Sequence, residues 1–338
     1  MEPVTAGWSA AAWKVQAESS EYFLKVYDKQ KPSTKCWVER IDQYIPVVVW
    51  LSQNTDLTEN MIAPLLTIRG DYKWEDESFL YLVFPNINGK TIGGEELNSK
   101  QIRELENTDA RLHSYGAELP IPTEGLKETF DVSFCGELNE WLVNSELNEL
   151  LAPYAETILN FTKELEDTAN ALRVKKLRFV ICHTDIHSRN LMQADKQILI
   201  DWEGLKLVPP EADLFSFTET FFFGYEWDEL MAEYSIVHPD FQVNSEVMRF
   251  YRLRRRLEDT HAFEKSILFD GLTKKDMDQS LWYLKRAERN GYVIEVLTFG
   301  ESTVRNIYYK SVDKYPGMQY TGFANGSEYQ LNKSGGKL

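Results

Sequence analysis

The sequence predicts an α+β protein of two lobes, a small antiparallel-sheet lobe followed by a larger, mainly helical lobe. Apolar and polar residues alternate with a period of two through much of the N-terminal part of the chain, as in half-buried strands. Apolar residues recur at helical spacing through most of the remainder. Within the helical part, two short apolar runs end in polar residues, at His183 and at Asp201. Polar residues delivered by buried strands indicate a functional site there.

The predicted small lobe is made of strands and one helix. The strands have the β-type alternation and are separated by turn residues, whereas the helix carries apolar residues on one face. The segments are a strand–turn–strand unit over Val4–Val15, a strand over Glu21–Tyr27, a helix over Thr34–Ser52, and a hairpin of Thr67–Trp74 with Phe79–Phe84.

Two features of this lobe predict nucleotide binding. Gly7 and Ser9 lie in the first turn, where small side chains would let backbone amides approach a polyphosphate closely. Lys25 lies among apolar neighbours in its strand, and an unpaired buried charge is costly. Nucleotide phosphates and an acid on the next helix would supply its partners. Glu39 and Asp42 lie one turn apart on that helix, and either of them can fill this role.

The centre of the chain concentrates the residues of a catalytic site. The apolar run Leu177–Cys182 precedes Asp185 and Asn190. A tight polar turn then leads to the run Ile198–Ile200, which ends at Asp201. The strand ends are expected to bring the three polar side chains together. Carboxylate and amide oxygens suit Mg²⁺, so Asn190 and Asp201 are predicted metal ligands. Asp185 is predicted to act as base or orienting group for an attacking hydroxyl.

Three segments resemble the aminoglycoside phosphotransferase family, and within it the spectinomycin phosphotransferase branch: Cys182–His187, Ile200–Glu203 and Pro210–Leu214. The resemblance implies a protein-kinase-like fold and the phosphorylation of a hydroxyl on a small molecule, with ATP or GTP as donor and Mg²⁺ as cofactor. It also implies that His183 orders the catalytic loop through hydrogen bonds, and that Asp213 accepts hydrogen bonds from backbone amides of that loop.

The same resemblance places a hinge between the lobes at about residues 84–89. Pro85 would offer its carbonyl oxygen and Ile87 its amide to the adenine edge, while Phe84 would border the back of the base pocket. Proline has no amide to donate, which is harmless where only its oxygen is used. The predicted lobes are therefore a nucleotide-binding lobe over residues 1–87 and a catalytic, substrate-binding lobe over residues 88–338.

The region beyond Asp201 interleaves acids with aromatic residues. This composition suits a polyhydroxylated cation, through charge-assisted hydrogen bonds and contacts of ammonium groups with ring faces. Together with the resemblance it predicts an aminoglycoside or aminocyclitol antibiotic as acceptor, hence a role in antibiotic resistance. A choline-like compound or an amino sugar is the alternative. The acids are Glu219, Glu226, Asp228, Glu229 and Glu233, and the aromatics are Phe221, Phe222, Phe223, Tyr225 and Trp227.

Two patterns have competing interpretations. His183, Asp185 and His187 form a His-x-Asp-x-His sequence, which imidazole ligands of a metallohydrolase could also produce. The chain has only five histidines and no second such cluster, which favours the kinase. The basic tract Arg252–Arg256 is followed by acids and is predicted to be a solvated, self-paired helix face.

Bulk properties exclude several other classes of function. The net charge of −16 argues against nucleic acid, whose phosphates would be repelled. Apolar runs fall short of the length that spans a bilayer, and the first residues lack the pattern of a signal peptide, so no membrane association is expected. Three widely spaced cysteines predict a reducing, cytoplasmic environment rather than a disulfide framework.

Overall fold

A computed structural model describes most of the chain as far as residue 281. The predicted phosphate-loop residues Gly7 and Ser9 lie outside the described residues, as do Glu219 and the aromatics of residues 221–225. The described ranges are 1–4, 10–17, 19–93, 96–144, 151–218, 226–274 and 276–281.

The small lobe is one antiparallel sheet covered by a helix. Its strands are β1 (Glu2–Val4), β2 (Ala11–Ala17), β3 (Ser20–Asp28), β4 (Trp74–Glu75) and β5 (Phe79–Pro85), in the order β1-β2-β3-β5-β4. Helix α1 (Lys35–Asn54) buries Ile41, Ile45 and Val48 on one face, at the three- and four-residue spacing that the sequence shows. In the central strand β3, Lys25 is opposite Ala12 of β2 and Leu82 of β5.

The predicted hairpin before β5 is shorter than expected. Only two residues, Trp74–Glu75, pair with β5 as β4. The preceding chain forms a turn instead, in which the amide of Gly70 donates to the carbonyl of Thr67 at 2.9 Å and Gly70 has φ of +86°. Glycine adopts this left-handed conformation without steric cost, so the turn at Gly70 takes the place of the first half of the predicted strand.

The large lobe is mainly helical and contains two small antiparallel sheets. One sheet has the order β6-β8-β9, and in the other β7 pairs with β10. The elements in chain order are β6 (Lys90–Thr91), α2 (Ser99–Leu112), α3 (Phe134–Asn144), α4 (Ala155–Arg173), β7 (Val180–Cys182), β8 (Leu191–Gln193), β9 (Gln197–Leu199), β10 (Lys206–Val208), α5 (Glu211–Leu214), α6 (Trp227–Val237) and α7 (Ser245–Phe269).

The two predicted central strands do not pair with each other. The completely buried β7 pairs with β10, whose Val208 is opposite Val180. The tight turn joins β8 to β9 instead. Both strand systems nevertheless deliver their following residues to one place, because the segment between β9 and β10 passes beside the loop that leaves β7. In the described part of the chain, no helix is long and apolar enough to cross a membrane.

Helix α2 offers a direct test of how local sequence stabilises the large lobe. The side chain of Asn98 accepts a hydrogen bond from the amide of Gln101 at 3.0 Å, and the side chain of Gln101 accepts one from the amide of Asn98 at 3.0 Å. We expect Asn98→Ala to lower the free energy of unfolding by about 1 kcal/mol, because this capping box is lost. Urea denaturation measures the change. The exposed neighbour Lys100→Ala is the control, and an equal effect of both variants would contradict the capping role.

Candidate active site

The loop that leaves β7 is held by one buried carboxylate. Asp213 accepts hydrogen bonds from the amide of His183 at 2.7 Å and from the amide of Thr184 at 2.6 Å. Burial alone would raise the pKa of Asp213, but the side chain of His113 and the side chain and amide of His183 outweigh it, and the pKa is lowered. Asp213 is therefore an ionised acceptor at neutral pH. This contact confirms the role that the resemblance implied for Asp213.

The loop packs closely against the chain segment that follows Asp201. Thr184 has φ of +64°, and its hydroxyl donates to the carbonyl of Gly204 at 2.7 Å. A Cβ atom at position 204 would lie 2.8 Å from the backbone oxygen of His183 and 2.7 Å from the hydroxyl of Thr184. Only glycine fits there without displacing the catalytic loop.

The side chain of His183 stabilises the loop through hydrogen bonds at both of its ring nitrogens. Its Nε2 lies 3.0 Å from the carbonyl oxygen of Ile200, and the amide of Asp185 donates to its Nδ1 at 3.3 Å. An Nδ1 that accepts and an Nε2 that donates require the neutral imidazole. Burial lowers the pKa of His183, in agreement with that form. Both ring nitrogens are engaged, so His183 has no lone pair to give to a metal, which counts against the metallohydrolase interpretation.

Asp185 and Asn190 are brought together as predicted. The amide Nδ2 of Asn190 donates to Oδ2 of Asp185 at 3.0 Å and to the backbone oxygen of Asp185 at 2.9 Å. The amide of Ile200 donates to the carbonyl of Asn190 at 2.9 Å, which holds the residue before Asp201 against the same loop. Asp201 itself has φ of +69°, a left-handed conformation that is uncommon for a residue with a side chain.

Lys25 reaches across from the small lobe to two acids of the large lobe. Its Nζ lies 2.5 Å from Oδ1 of Asp201 and 2.8 Å from Oε1 of Glu203. Burial alone would lower the pKa of Lys25, but the two carboxylates outweigh it and the pKa is raised. Glu203 is buried and also accepts a hydrogen bond from the hydroxyl of the fully buried Tyr27. The carboxylate of Glu203 thus fixes the position of the Lys25 ammonium.

The prediction that Glu39 or Asp42 pairs with Lys25 is wrong for this structure. The nearest cation to Glu39 is Lys35, with 3.8 Å between Nζ and Oε1, and Asp42 pairs with Lys73 at 2.8 Å. Both acids are exposed, whereas the apolar face of α1 with Ile41, Ile45 and Val48 is buried. Sequence reasoning missed Glu203 as the partner, although it stands two residues after Asp201 in the motif.

The prediction for the basic face on α7 is confirmed in its self-pairing and wrong in its solvation: two of its arginines pair with acids four residues later on the helix, and both also pair with acids of other segments. Nη1 of Arg255 lies 2.6 Å from Oδ1 of Asp185, which the sequence gave no reason to expect. Arg254 is buried and pairs with Glu128 at 2.8 Å, 126 positions away in the chain. Burial alone would raise the pKa of Asp185, but the Arg255 guanidinium holds the pKa of that carboxyl well below its usual range. Asp185 is thus a carboxylate at neutral pH.

The donor set at this site fits a hard cation. Asn190 uses its Nδ2 on Asp185, so its Oδ1 can serve as a ligand. The side chain of Asp201 is 30% exposed and can offer carboxylate oxygen. Amide and carboxylate oxygens are the ligands that Mg²⁺ prefers, with the remaining positions left to water and phosphate.

A buried cluster of possible metal ligands lies behind the loop. Within the described ranges it is the one group of three His, Cys, Asp or Glu side chains whose ligand atoms lie within 4.8 Å of one another. Its members are His113, Cys182 and Asp213, and they contact one another directly. Nε2 of His113 is 3.2 Å from Oδ2 of Asp213 and 3.3 Å from Sγ of Cys182. Because Asp213 already holds two loop amides, this cluster supports the catalytic loop.

The residues predicted to read the adenine base lie where the chain passes from the small sheet to the large lobe. Phe84 is half-buried near the end of β5, and Pro85 ends that strand. The amide of Asn86 donates to the carbonyl of Glu21 at 3.2 Å, and the amide of Gly89 donates to the carbonyl of Ile87 at 2.9 Å. The next strand, β6, pairs with β8 in the large lobe. The contacts of Phe84, Pro85 and Ile87 with a nucleotide remain a prediction.

Comparisons with known proteins agree with this architecture. The sequence profile of the phosphotransferase enzyme family matches residues 1–259. No curated protein sequence is significantly similar to the chain. Spectinomycin phosphotransferase APH(9)-Ia, solved with ADP and spectinomycin, superposes with a TM-score of 0.64 at 18% identity, covering 84% of this chain and 88% of that one.

Two further solved structures share the fold with other acceptors in their names. Amicoumacin kinase hAmiN, in complex with AMP-PNP, Ca²⁺ and Ami, has a TM-score of 0.55 at 14% identity, and the match covers 87% of this chain and 90% of that one. A microcompartment-associated aminopropanol kinase has a TM-score of 0.57 at 12% identity, and covers 86% of this chain and 91% of its own. At these identities the likeness establishes the two-lobed, kinase-like fold.

Substitutions of the two buried carboxyl groups behind the loop, Asp213 and Asp109, should change the free energy of unfolding with different pH dependences. The pKa of Asp213 is lowered, so its contribution to stability is complete above its unfolded pKa and is lost only as the pH falls through the lower folded value. Burial and the neighbouring Asp213 raise the pKa of Asp109 well above its usual range. Asp109 therefore makes the folded protein less stable as the pH rises.

We expect Asp213→Asn to lower the free energy of unfolding by about 3 kcal/mol at both pH 5 and pH 8, because a charged acceptor of two amides is lost. Asp109→Asn replaces a protonated carboxyl with a neutral amide of similar shape. The free energy of unfolding of Asp109→Asn, relative to that of the wild type, should therefore increase from pH 5 to pH 8. Urea denaturation at the two pH values measures both variants. A pH-independent effect of Asp109→Asn would contradict the protonated state of Asp109.

Proposed function

The chain belongs to the phosphotransferase enzyme family, and from this we propose that it transfers the γ-phosphoryl group of ATP or GTP to a hydroxyl of a small molecule, with Mg²⁺ as cofactor. The observation that carries the proposal is the meeting of Asp185, Asn190 and the segment ending at Asp201 around one loop. This is the division of roles that kinase-type phosphoryl transfer requires.

The nucleotide is proposed to bind between the lobes, residues 1–87 and 88–338. Lys25 would bind the α- and β-phosphates, exchanging its present contact with Asp201 for them while Glu203 keeps its ammonium in place. Pro85 and Ile87 would read the adenine edge against Phe84, and the turn with Gly7 and Ser9 would cover the phosphates. Complexes of the solved relatives with ADP, AMP and GDP support nucleotide use.

Asn190 and Asp201 are the residues that would hold Mg²⁺. When bound, the ion would neutralise charge on the transferring phosphoryl group. Lys25 now neutralises Asp201. If metal and nucleotide bound together, Asp201 would exchange the Lys25 ammonium for the metal, and Lys25 would exchange the Asp201 carboxylate for phosphate.

Asp185 is proposed to orient the acceptor hydroxyl and to take up its proton. Its lowered pKa makes it a weak base, so most of the rate would come from positioning and charge neutralisation. This suits a loose transition state, in which the bond to the leaving oxygen is largely broken before the hydroxyl proton must leave.

The acceptor is proposed to be a polyhydroxylated amine, with an aminoglycoside or aminocyclitol first and a choline-like compound or amino sugar as the alternative. An antibiotic acceptor would make resistance the biological role, in a reducing cytoplasm. The solved relatives include kinases named for spectinomycin, amicoumacin and aminopropanol. Glu226, Asp228 and Glu229 are exposed at the start of α6, where they can attract a cation.

We expect Asp185→Asn to lower turnover by roughly a hundredfold or more, the usual scale for losing general-base help, while nucleotide affinity stays nearly unchanged. Acceptor-dependent release of nucleoside diphosphate measures turnover, and calorimetry measures affinity. Asp195→Asn, an exposed change in the turn between β8 and β9, is the matched control. Turnover of Asp185→Asn within a factor of about two of the control would remove Asp185 from the mechanism.

We expect Asp201→Ala to abolish Mg²⁺-dependent nucleotide binding, because Asn190 alone is a poor site for a hard cation. Calorimetric titration with a non-hydrolysable ATP analogue, with and without Mg²⁺, tests this, and Asp195→Ala is the control. Tight zinc binding that disappears when His183 and His187 are replaced would support a metallohydrolase instead.

A further inference from the structure

The two oxygens of Asp185 face different groups. Oδ2 accepts a hydrogen bond from Asn190 at 3.0 Å, whereas Oδ1 lies 2.6 Å from Nη1 of Arg255 and 3.4 Å from Nε2 of His187. Asn190 is the candidate metal ligand, so the Oδ2 side of the carboxylate is the metal side. The acceptor hydroxyl must then approach Oδ1. Arg255 lies beside Oδ1, on the side from which the hydroxyl would approach.

Arg255 is held there by a second acid on its own helix. Nε of Arg255 lies 3.0 Å from Oδ1 of Asp259, four residues later on α7. The guanidinium is thus anchored through Nε and presents Nη1 to Asp185. The side chain remains 35% exposed, so a small molecule can reach it. An anchored guanidinium beside the base has the geometry of a binding group, because its planar fork holds several donors in fixed directions.

We infer that Arg255 is a second acceptor-binding residue, which brackets the attacking hydroxyl together with Asp185. An N–H of Arg255 would donate to the hydroxyl oxygen while the hydroxyl donates its proton to Oδ1 of Asp185. As the oxygen bonds to the γ-phosphorus, the proton passes to Asp185. The bond from phosphorus to the bridging oxygen breaks, and its electron pair leaves with the nucleoside diphosphate. This role rests on the proposed phosphotransferase function and specifies the acceptor side of its site.

The position of Arg255 restricts the acceptor. A guanidinium beside the reacting hydroxyl attracts neighbouring hydroxyl or ring oxygens and repels an ammonium on the adjacent carbon. The favoured acceptor is therefore a polyol or sugar ring whose reacting hydroxyl is flanked by oxygen functions. Amines of that acceptor would lie farther away, within reach of acids elsewhere on the lobe. A short amino alcohol, with its ammonium next to the hydroxyl, is disfavoured.

The test compares Arg255→Ala and Arg255→Lys with Arg256→Ala, which removes the same charge from the next position of α7. Nucleoside diphosphate release is measured with Mg²⁺, ATP or GTP, and three acceptor probes: kanamycin, myo-inositol and 1-amino-2-propanol. We expect Arg255→Ala to lower kcat by about a hundredfold on the ring acceptors, the lower end of the range for losing one positioned donor, with KM for the nucleotide unchanged within about twofold. Arg255→Lys should be intermediate, and added guanidinium ions should restore part of the activity of Arg255→Ala only.

Replacing Arg255 with alanine should raise the rate with the amino alcohol relative to the rates with the ring acceptors, because the repulsion between the guanidinium and the ammonium is removed. Melting temperatures of all variants confirm that they are folded, and Arg255→Lys provides the comparison if Arg255→Ala unfolds. If Arg255→Ala has the same rates as Arg256→Ala, or if only its KM for the nucleotide rises, the proposed role of Arg255 is wrong. The proposed phosphotransferase function would not be affected by either result. A wild-type protein that releases no diphosphate with any acceptor would overturn the proposed function, and this role with it.

Discussion

The geometry of the whole site depends on the hydrogen bonds between Asp213 and the backbone of the catalytic loop. A buried carboxylate that accepts the amides of His183 and Thr184 at 2.7 and 2.6 Å defines where the loop begins. Asp185 and Asn190 follow two and seven residues after His183, and His183 holds Ile200 and therefore Asp201 beside them. An unpaired buried carboxylate would be strongly destabilising, so the loop and Asp213 stabilise each other.

The second constraint is electrostatic and joins the lobes. Lys25 on the central strand of the small lobe pairs with Asp201 and Glu203 of the large lobe, and Arg255 pairs with Asp185. Unit charges 4 Å apart near a protein surface interact by about 4 kcal/mol, so ligands that displace these pairs must replace the lost charge. A metal-bound nucleotide would meet that requirement at Lys25 and Asp201.

Local patterns in the sequence were sufficient to predict the α+β fold, helix α1 and the meeting of Asp185 with Asn190. These features depend on short-range periodicity and on residues a few positions apart. The partners of Lys25 and Asp185 were not predictable in this way, since Glu203 and Arg255 lie 178 and 70 positions away in the chain. The acids on α1 were misleading because helical spacing alone does not show which face meets the sheet. The pairing of β7 with β10 likewise depends on the tertiary fold.

The central claim is that this site moves a phosphoryl group from a nucleotide to a hydroxyl. Phosphorus NMR of the protein with Mg²⁺, ATP or GTP and a panel of hydroxylated amines and polyols tests it most directly. The account predicts a new phosphomonoester resonance, formed in equal amount with nucleoside diphosphate and dependent on both metal and acceptor. Nucleotide consumption that yields only inorganic phosphate, at the same rate with and without every acceptor, would contradict it.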